Sequence, residues 1–125
     1  MASSITSRRP VVLVVEDEPL LLMMAVDLVE DAGFEALEAR NADEALDILQ
    51  AHDGIKVLFT DIDMPGSMNG LALAAFVQEK WPLVEILLVS GHVKITKDHL
   101  PKRCLFLSKP YDHSRVTEHL QSVTA

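Results

Sequence analysis

Hydrophobic residues fall along this chain in short blocks that alternate between two periods. VVLVV (Val11 to Val15) is continuous and β-branched, as a strand buried on both faces of a parallel sheet should be. After EDEP, the stretch Leu20 to Ala32 spaces Leu21, Ala25, Leu28 and Ala32 at steps of four, three and four. That spacing predicts a helix with one buried stripe, closed by Gly33, and Met23 and Met24 read as part of its core. FEALEA (Phe34 to Ala39) alternates, which predicts an outer strand. Asn41 with Glu44 three residues on forms a capping pair for a second helix whose apolar positions are Ala45, Leu46, Ile48 and Leu49. KVLFTD reads as a third strand. Asn69-Gly70 reads as a turn signal, and the third helix runs over roughly Leu71 to Lys80 until Trp81-Pro82 stops it. EILLVSG and CLFLS supply a fourth and a fifth strand, and HVKITKDHLPKR between them holds only a short polar helix. The last helix begins near Asp112 and turns Val116, Leu120 and Val123 inward. Strands alternating with helices predict a right-handed parallel α/β sandwich, with the strand order left open by the pattern.

Composition narrows the picture. The 125 residues are the length of one domain, with residues 1–10 read as a loose tail and 11–125 as the folded unit. Hydrophobic residues make up 49% but aromatics only 5%, so the core is expected to be aliphatic. Asp and Glu outnumber Lys and Arg by 19 to 11, a net charge of −8. That balance argues against nucleic acid as a partner, since phosphate neutralisation needs clustered bases, and favours cations or basic protein surfaces. A single cysteine, Cys104, excludes an intrachain disulfide and reads as core filler. The longest apolar run, Leu20 to Val26, is far from the roughly 20 residues that cross a bilayer. The SRRPVVLVV start resembles a twin-arginine signal only superficially, because its apolar segment ends at EDE. A cytoplasmic protein without membrane contact is expected.

The chemistry sits where the predicted strands end. The first ends in Glu16-Asp17, the third in Asp61, the fourth in Ser90-Gly91 and the fifth in Lys109-Pro110. In open parallel sheets, sites form beyond the carboxyl ends of the strands, where the order reverses. Three carboxylates gathered there repel one another unless a cation relieves them, and a hard divalent ion such as Mg²⁺ suits oxygen ligands. Beside such an ion, the Asp61 carboxylate could attack a phosphoryl group in line, with Lys109 neutralising the equatorial oxygens. Ser90 is placed to donate a hydroxyl hydrogen bond to a phosphoryl oxygen, and Gly91 to leave room for it.

These residues resemble the receiver domains of two-component response regulators. VVEDEP resembles the family's acidic pair, TDIDMPG its phosphoacceptor strand end, LLVSG its Ser/Thr position and FLSKPY its Lys-Pro, in order from Val11 to Leu120. The resemblance implies the flavodoxin-like (βα)5 three-layer sandwich, a parallel sheet in the order 2-1-3-4-5. It implies phosphotransfer to Asp61 from a histidine kinase or a histidine phosphotransfer protein. It further implies Mg²⁺ bound by Asp17, Asp61 and the backbone carbonyl of Asp63, with Glu16 acting through water, and a cis Lys109-Pro110 bond. Asp63 and His92 match positions that tune phosphoryl lifetime in the family. Phe106 matches its aromatic switch, which follows Ser90 as Ser90 moves toward the phosphate. Lacking a hydroxyl to keep wet, the Phe106 ring is expected to be largely buried and its switching weakened. Three departures stand out: Glu-Asp for the commoner Asp-Asp, a loop MPGSMNG one residue longer than usual, and a fourth helix shortened by about one turn.

Each of these residues alone has an ordinary structural reading as a cap, turn, surface lysine or core ring; their joint placement at successive strand ends does not. Two rival functions remain. A small haloacid dehalogenase-like phosphatase would use Asp61 as nucleophile and Asp63 as general acid, but it needs acidic ligands after a later strand that are missing here. A receiver-like binding module would keep the fold and work without phosphate. The primary expectation is a stand-alone receiver, itself no enzyme beyond self-phosphorylation and slow dephosphorylation, signalling through an unknown downstream protein partner as a monomer or weak dimer.

Overall fold

The computed structural model describes residues 9–91 and 100–125. Their five strands are β1 (Val11–Val15), β2 (Glu35–Ala39), β3 (Ile55–Asp61), β4 (Glu85–Ser90) and β5 (Cys104–Ser108); the helices are α1 (Pro19–Asp31), α2 (Ala42–Ala51), α3 (Gly70–Lys80) and α4 (His113–Val123). All strand pairs are parallel, and the order is β2-β1-β3-β4-β5. The chain steps outward from β1 to β2 and then returns to the other side of β1 with β3. The order therefore reverses between the carboxyl ends of β1 and β3. The predicted fourth helix and His92 lie on or beside residues 92–99, outside the described residues.

The sheet separates two aliphatic layers. Leu13, Val15, Leu58, Ile86 and Leu88 pack toward α2 and α3, through Ala45, Leu49, Leu73 and Val77. Val12, Val14, Val57, Phe59, Leu87 and Val89 pack toward α1 and α4, through Leu22, Val29, Val116 and Leu120. One irregularity interrupts the alternation: Val11 pairs with Ile55 but Val12 with Val57. The skipped residue is the exposed Lys56, so Ile55 and Val57 fall in opposite layers, as an extra residue in one strand requires. The expected outer strand is the sheet edge β2, where only Ala39 is buried.

Local sequence accounts for the helix starts. The Asn41 side chain accepts from the Glu44 N–H at 2.9 Å, and Glu44 reaches back to the Arg40 N–H at 2.8 Å, a reciprocal arrangement close to the expected capping pair. Asp112 caps α4 by accepting from the Ser114 N–H at 3.0 Å. The start of α1 is different. Pro19 fills its first position, and the N-cap residue, Glu18, makes no side-chain cap bond.

Two expectations are corrected. The buried stripe of α1 is Leu22, Ala25, Val26, Leu28 and Val29, with Leu21 and Ala32 only half-buried. A seven-residue apolar run fits more than one helical face, and the approach of α4 selects the face carrying Leu22 and Val29. Met23 and Met24 consequently face outward, 55% and 50% exposed, and are not core. Asn69-Gly70 is also more than a turn signal. Asn69 caps α3 by accepting from the Ala72 N–H at 3.0 Å, and Gly70 is the first helical residue, buried against β3.

Candidate functional site

The reversal point brings Glu16, Asp17 and Asp61 together. One carboxylate oxygen from each lies within 4.8 Å of the others. Glu16 and Asp61 are buried, 5% and 6% exposed, and Asp17 is half-buried. Lys109 crosses from the end of β5 and binds both buried acids: its Nζ donates to Glu16 Oε1 at 3.1 Å and lies 3.3 Å from Asp61 Oδ2. The second Glu16 oxygen accepts from the Glu18 N–H at 3.2 Å. Glu16 is therefore fixed at both oxygens before any ion enters.

Burial pushes the Asp61 carboxyl above its ordinary range, and the nearby Lys109 ammonium and the Asp63 N–H offset the rise only in part. Glu16 is raised too, by burial and then by the charge of Asp61, against the bonds from Glu18 and Lys109. For Lys109, burial favours losing the proton, but the Glu16 hydrogen bond and the two carboxylate charges outweigh it and hold the ammonium above its ordinary value. The crevice thus carries more negative charge than one lysine neutralises. Glu16, Asp17 and Asp61 form an all-oxygen donor set, which fits a hard divalent cation.

The backbone around Asp61 is held by residues whose roles were not read from the sequence. The buried Thr60 hydroxyl donates to the Asp61 carbonyl at 2.9 Å. The Ile62 N–H donates to the Val89 carbonyl and the Gly70 N–H to the Ile62 carbonyl, both at 2.9 Å. Gly70 is required by space: a Cβ there would sit 2.1 Å from the Asp61 carbonyl oxygen. The loop after Asp63 is tied down as well, since Ser67 Oγ donates to Asp43 in the first turn of α2 at 2.8 Å.

Ser90, at the end of β4, is 2% exposed, and its hydroxyl donates to Asp63 Oδ2 at 2.7 Å. Asp63 in turn directs its backbone N–H to Asp61 Oδ1 at 3.3 Å. Gly91 proves less demanding than expected: a Cβ there would make ordinary contact with Lys109, at 3.6 Å from its Cβ. The Lys109-Pro110 peptide is cis. Phe106 is half-buried against the α2/α3 layer and is not among the well-exposed rings. Cys104 is half-buried at the rim of that layer, and its thiol lies 3.1 Å from the Pro101 carbonyl.

Two openings flank Asp61. A crevice of about 260 Å³ is lined by Asp17, Glu18, Asp61, Asp63, Gly91 and Lys109 among others. A more apolar cleft of about 320 Å³ runs between α1 and the segment after β5, walled by Leu21, Met24, Ala25, Phe59, Val89 and Tyr111. Tyr111 packs edge-on to Phe59 with ring centroids 5.9 Å apart. Among the described residues, no helix is long and apolar enough to cross a membrane.

Comparison with known proteins identifies this arrangement. The family model for the response regulator receiver domain matches residues 12–121. The nitrogen assimilation regulatory protein NtrX of Azorhizobium caulinodans is 34% identical over 109 residues, which are 84% of this chain and 24% of that protein. The polar-differentiation response regulator DivK of Brucella anthropi is 34% identical over 68 residues, 54% of each chain. Among solved structures, a response regulator receiver protein from Pseudomonas putida superposes with a TM-score of 0.82 at 28% identity, covering 91% of this chain and 97% of that one. A Sinorhizobium medicae receiver protein gives a TM-score of 0.85 at 22% identity, covering 92% and 94%, and bears on the fold alone. The acids, hydroxyl and lysine at four strand ends, on a sheet of this order, are therefore those of a protein that belongs to the response regulator receiver domain family of two-component systems.

Proposed function

We propose that this chain accepts a phosphoryl group on Asp61 from a histidine kinase or histidine phosphotransfer protein and signals by binding a downstream protein. The observation that carries the reading is Lys109 held between Glu16 and Asp61 at 3.1 and 3.3 Å. That position draws the ammonium out of open solvent to the place where a group must neutralise charge developing beside Asp61. Asp61 attacks phosphorus as its O–P bond forms and the donor's P–N bond breaks, the imidazole nitrogen keeping the electron pair. Its raised pKa makes the ionised carboxylate a better nucleophile, and Lys109 helps to hold it ionised. Ser90 donates to a phosphoryl oxygen once the group is attached, and Phe106 follows it into the space it leaves.

Asp17, Asp61 and the Asp63 carbonyl would hold Mg²⁺, with Glu16 acting through water; when bound, the ion supplies positive charge to the phosphoryl oxygens. Met24 lines the cleft next to Asp61 and, with Leu20 and Met23 on the same helix, forms an exposed apolar surface at the mouth of the site. That surface offers contact area to the helices of a phosphohistidine donor. The relatives include the sensor protein TorS of Escherichia coli, 27% identical over 81 residues, so receivers of this kind occur in chains of different architecture. Intact-protein mass spectrometry after incubation with Mg²⁺ and acetyl phosphate tests the reading. One phosphoryl group should be added, none to Asp61→Asn, and only slowly to Asp17→Asn. A wild-type chain left unlabelled by acetyl phosphate and by a phosphohistidine donor would overturn it.

A further inference from the structure

The hydroxyl expected to meet the phosphoryl group already has a charged partner. Ser90 Oγ donates to Asp63 Oδ2 at 2.7 Å, a short bond to a carboxylate and hence stronger than one to a neutral oxygen. Asp63 is held in place for that contact by its own backbone, whose N–H points at Asp61 Oδ1 at 3.3 Å. A serine hydroxyl carries one proton, which goes to one strong acceptor at a time.

We infer that Asp63 is a positioning residue: its carboxylate holds the Ser90 hydroxyl in the unphosphorylated protein and sets the threshold that a phosphoryl group on Asp61 must pass to claim it. This rests on the reading of Asp61 as phosphoacceptor. Attachment of the group raises the charge at position 61 from one negative charge to about two, repelling the Asp63 carboxylate while presenting new acceptors to Ser90. One charge-assisted bond is exchanged for another. The side chain at position 63 therefore decides how readily the exchange runs. Asp63 is half-buried and can swing outward into solvent, whereas Ser90 is enclosed at the strand end.

A simpler role for Asp63, as a negative charge that repels any phosphoryl group, makes a different prediction, because it does not depend on Ser90. A double-mutant cycle separates the two. Trifluoroberyllate, a non-covalent phosphoryl analogue, is titrated calorimetrically with Mg²⁺ present into wild type, Asp63→Ala, Asp63→Asn, Ser90→Ala and the Asp63→Ala/Ser90→Ala pair. All of these keep the position 63 backbone carbonyl. Loss of a competing charge-assisted bond should tighten binding about tenfold in Asp63→Ala. Asp63→Asn, which keeps an acceptor oxygen without the charge, should fall between that variant and wild type. On the Ser90→Ala background the same replacement should change affinity by less than about threefold. Equal tightening with and without the Ser90 hydroxyl, or none in either Asp63 variant, overturns the inference while leaving the phosphoacceptor reading intact. A wild-type protein that fails to bind the analogue overturns both, and that result is read before any variant is made.

Discussion

Gly70→Ala is a one-methyl test of how the phosphoacceptor strand is held. The added Cβ would lie 2.1 Å from the Asp61 carbonyl oxygen, 2.7 Å from Ile62 Cα and 2.8 Å from the Asp61 carbonyl carbon. All three obstacles are main chain at the end of a central strand, so no side-chain rotation relieves them. Ordinary contact requires about 3.5 Å, so the start of α3 must back away by more than about 1 Å. That movement stretches the Gly70 N–H bond to the Ile62 carbonyl, now 2.9 Å. Overpacking costs about 1–3 kcal/mol. The better helix propensity of alanine recovers about 1 kcal/mol at most, and less at a first helical position. A net loss of about 2 kcal/mol lowers the melting temperature of a domain of this size by about 8 °C. Gly54→Ala is the control, since no heavy atom lies within 4 Å of its added methyl, and its effect should stay within about 0.5 kcal/mol. Thermal unfolding followed by circular dichroism compares the two. A Gly70→Ala protein that melts with wild type and with Gly54→Ala would show that α3 is not pinned against β3.

Two further outcomes follow from the same region and are read by unfolding. Asn69→Ala removes the side-chain acceptor for the Ala72 N–H and should cost about 1 kcal/mol, measured by urea denaturation; an unchanged midpoint would count against the cap. Asp61→Asn should melt above wild type near neutral pH with a chelator present. Because the folded protein holds the Asp61 carboxyl above its ordinary range, chiefly by burial, the stability it contributes is present below its unfolded-state pKa and is lost as pH rises through the folded value. The advantage of the variant should therefore shrink on acidification, and a gap that widened instead would contradict the burial account.

What could be read from sequence follows from how many signals overlapped at each position. β1 and β3 were legible because continuous β-branched and aliphatic runs have few alternatives, and the acids at their ends were conspicuous against so apolar a background. α1 was legible as an element but not in its orientation: with Leu20 to Val26 all apolar, periodicity is nearly silent, and the packing partner α4 is almost a hundred residues away in sequence. Such a run assigns Met23 and Met24 to the core as readily as to the face that the fold turns to solvent. Gly70 and Asn69 carried an ordinary turn signature, and nothing local distinguishes a glycine that accommodates a turn from one that lets a helix touch a strand. The bonds from Ser90 to Asp63 and from Lys109 to Glu16 join residues 27 and 93 positions apart. Residue type at strand ends suggested the company these groups keep, but not which oxygen each would choose.

The central sheet acts as a partition wall. Alternate side chains of β1, β3 and β4 serve different rooms, one closed by α2 and α3 and the other by α1 and α4. Sequence drift on one side can proceed with little negotiation with the other, and a protein engineer could refurnish one room and inherit the other unchanged. The two meet at the ends of the strands, where the acidic residues stand. A lineage could thus remodel the surface it shows to one partner without disturbing the surface it shows to another, so long as that common threshold is left alone.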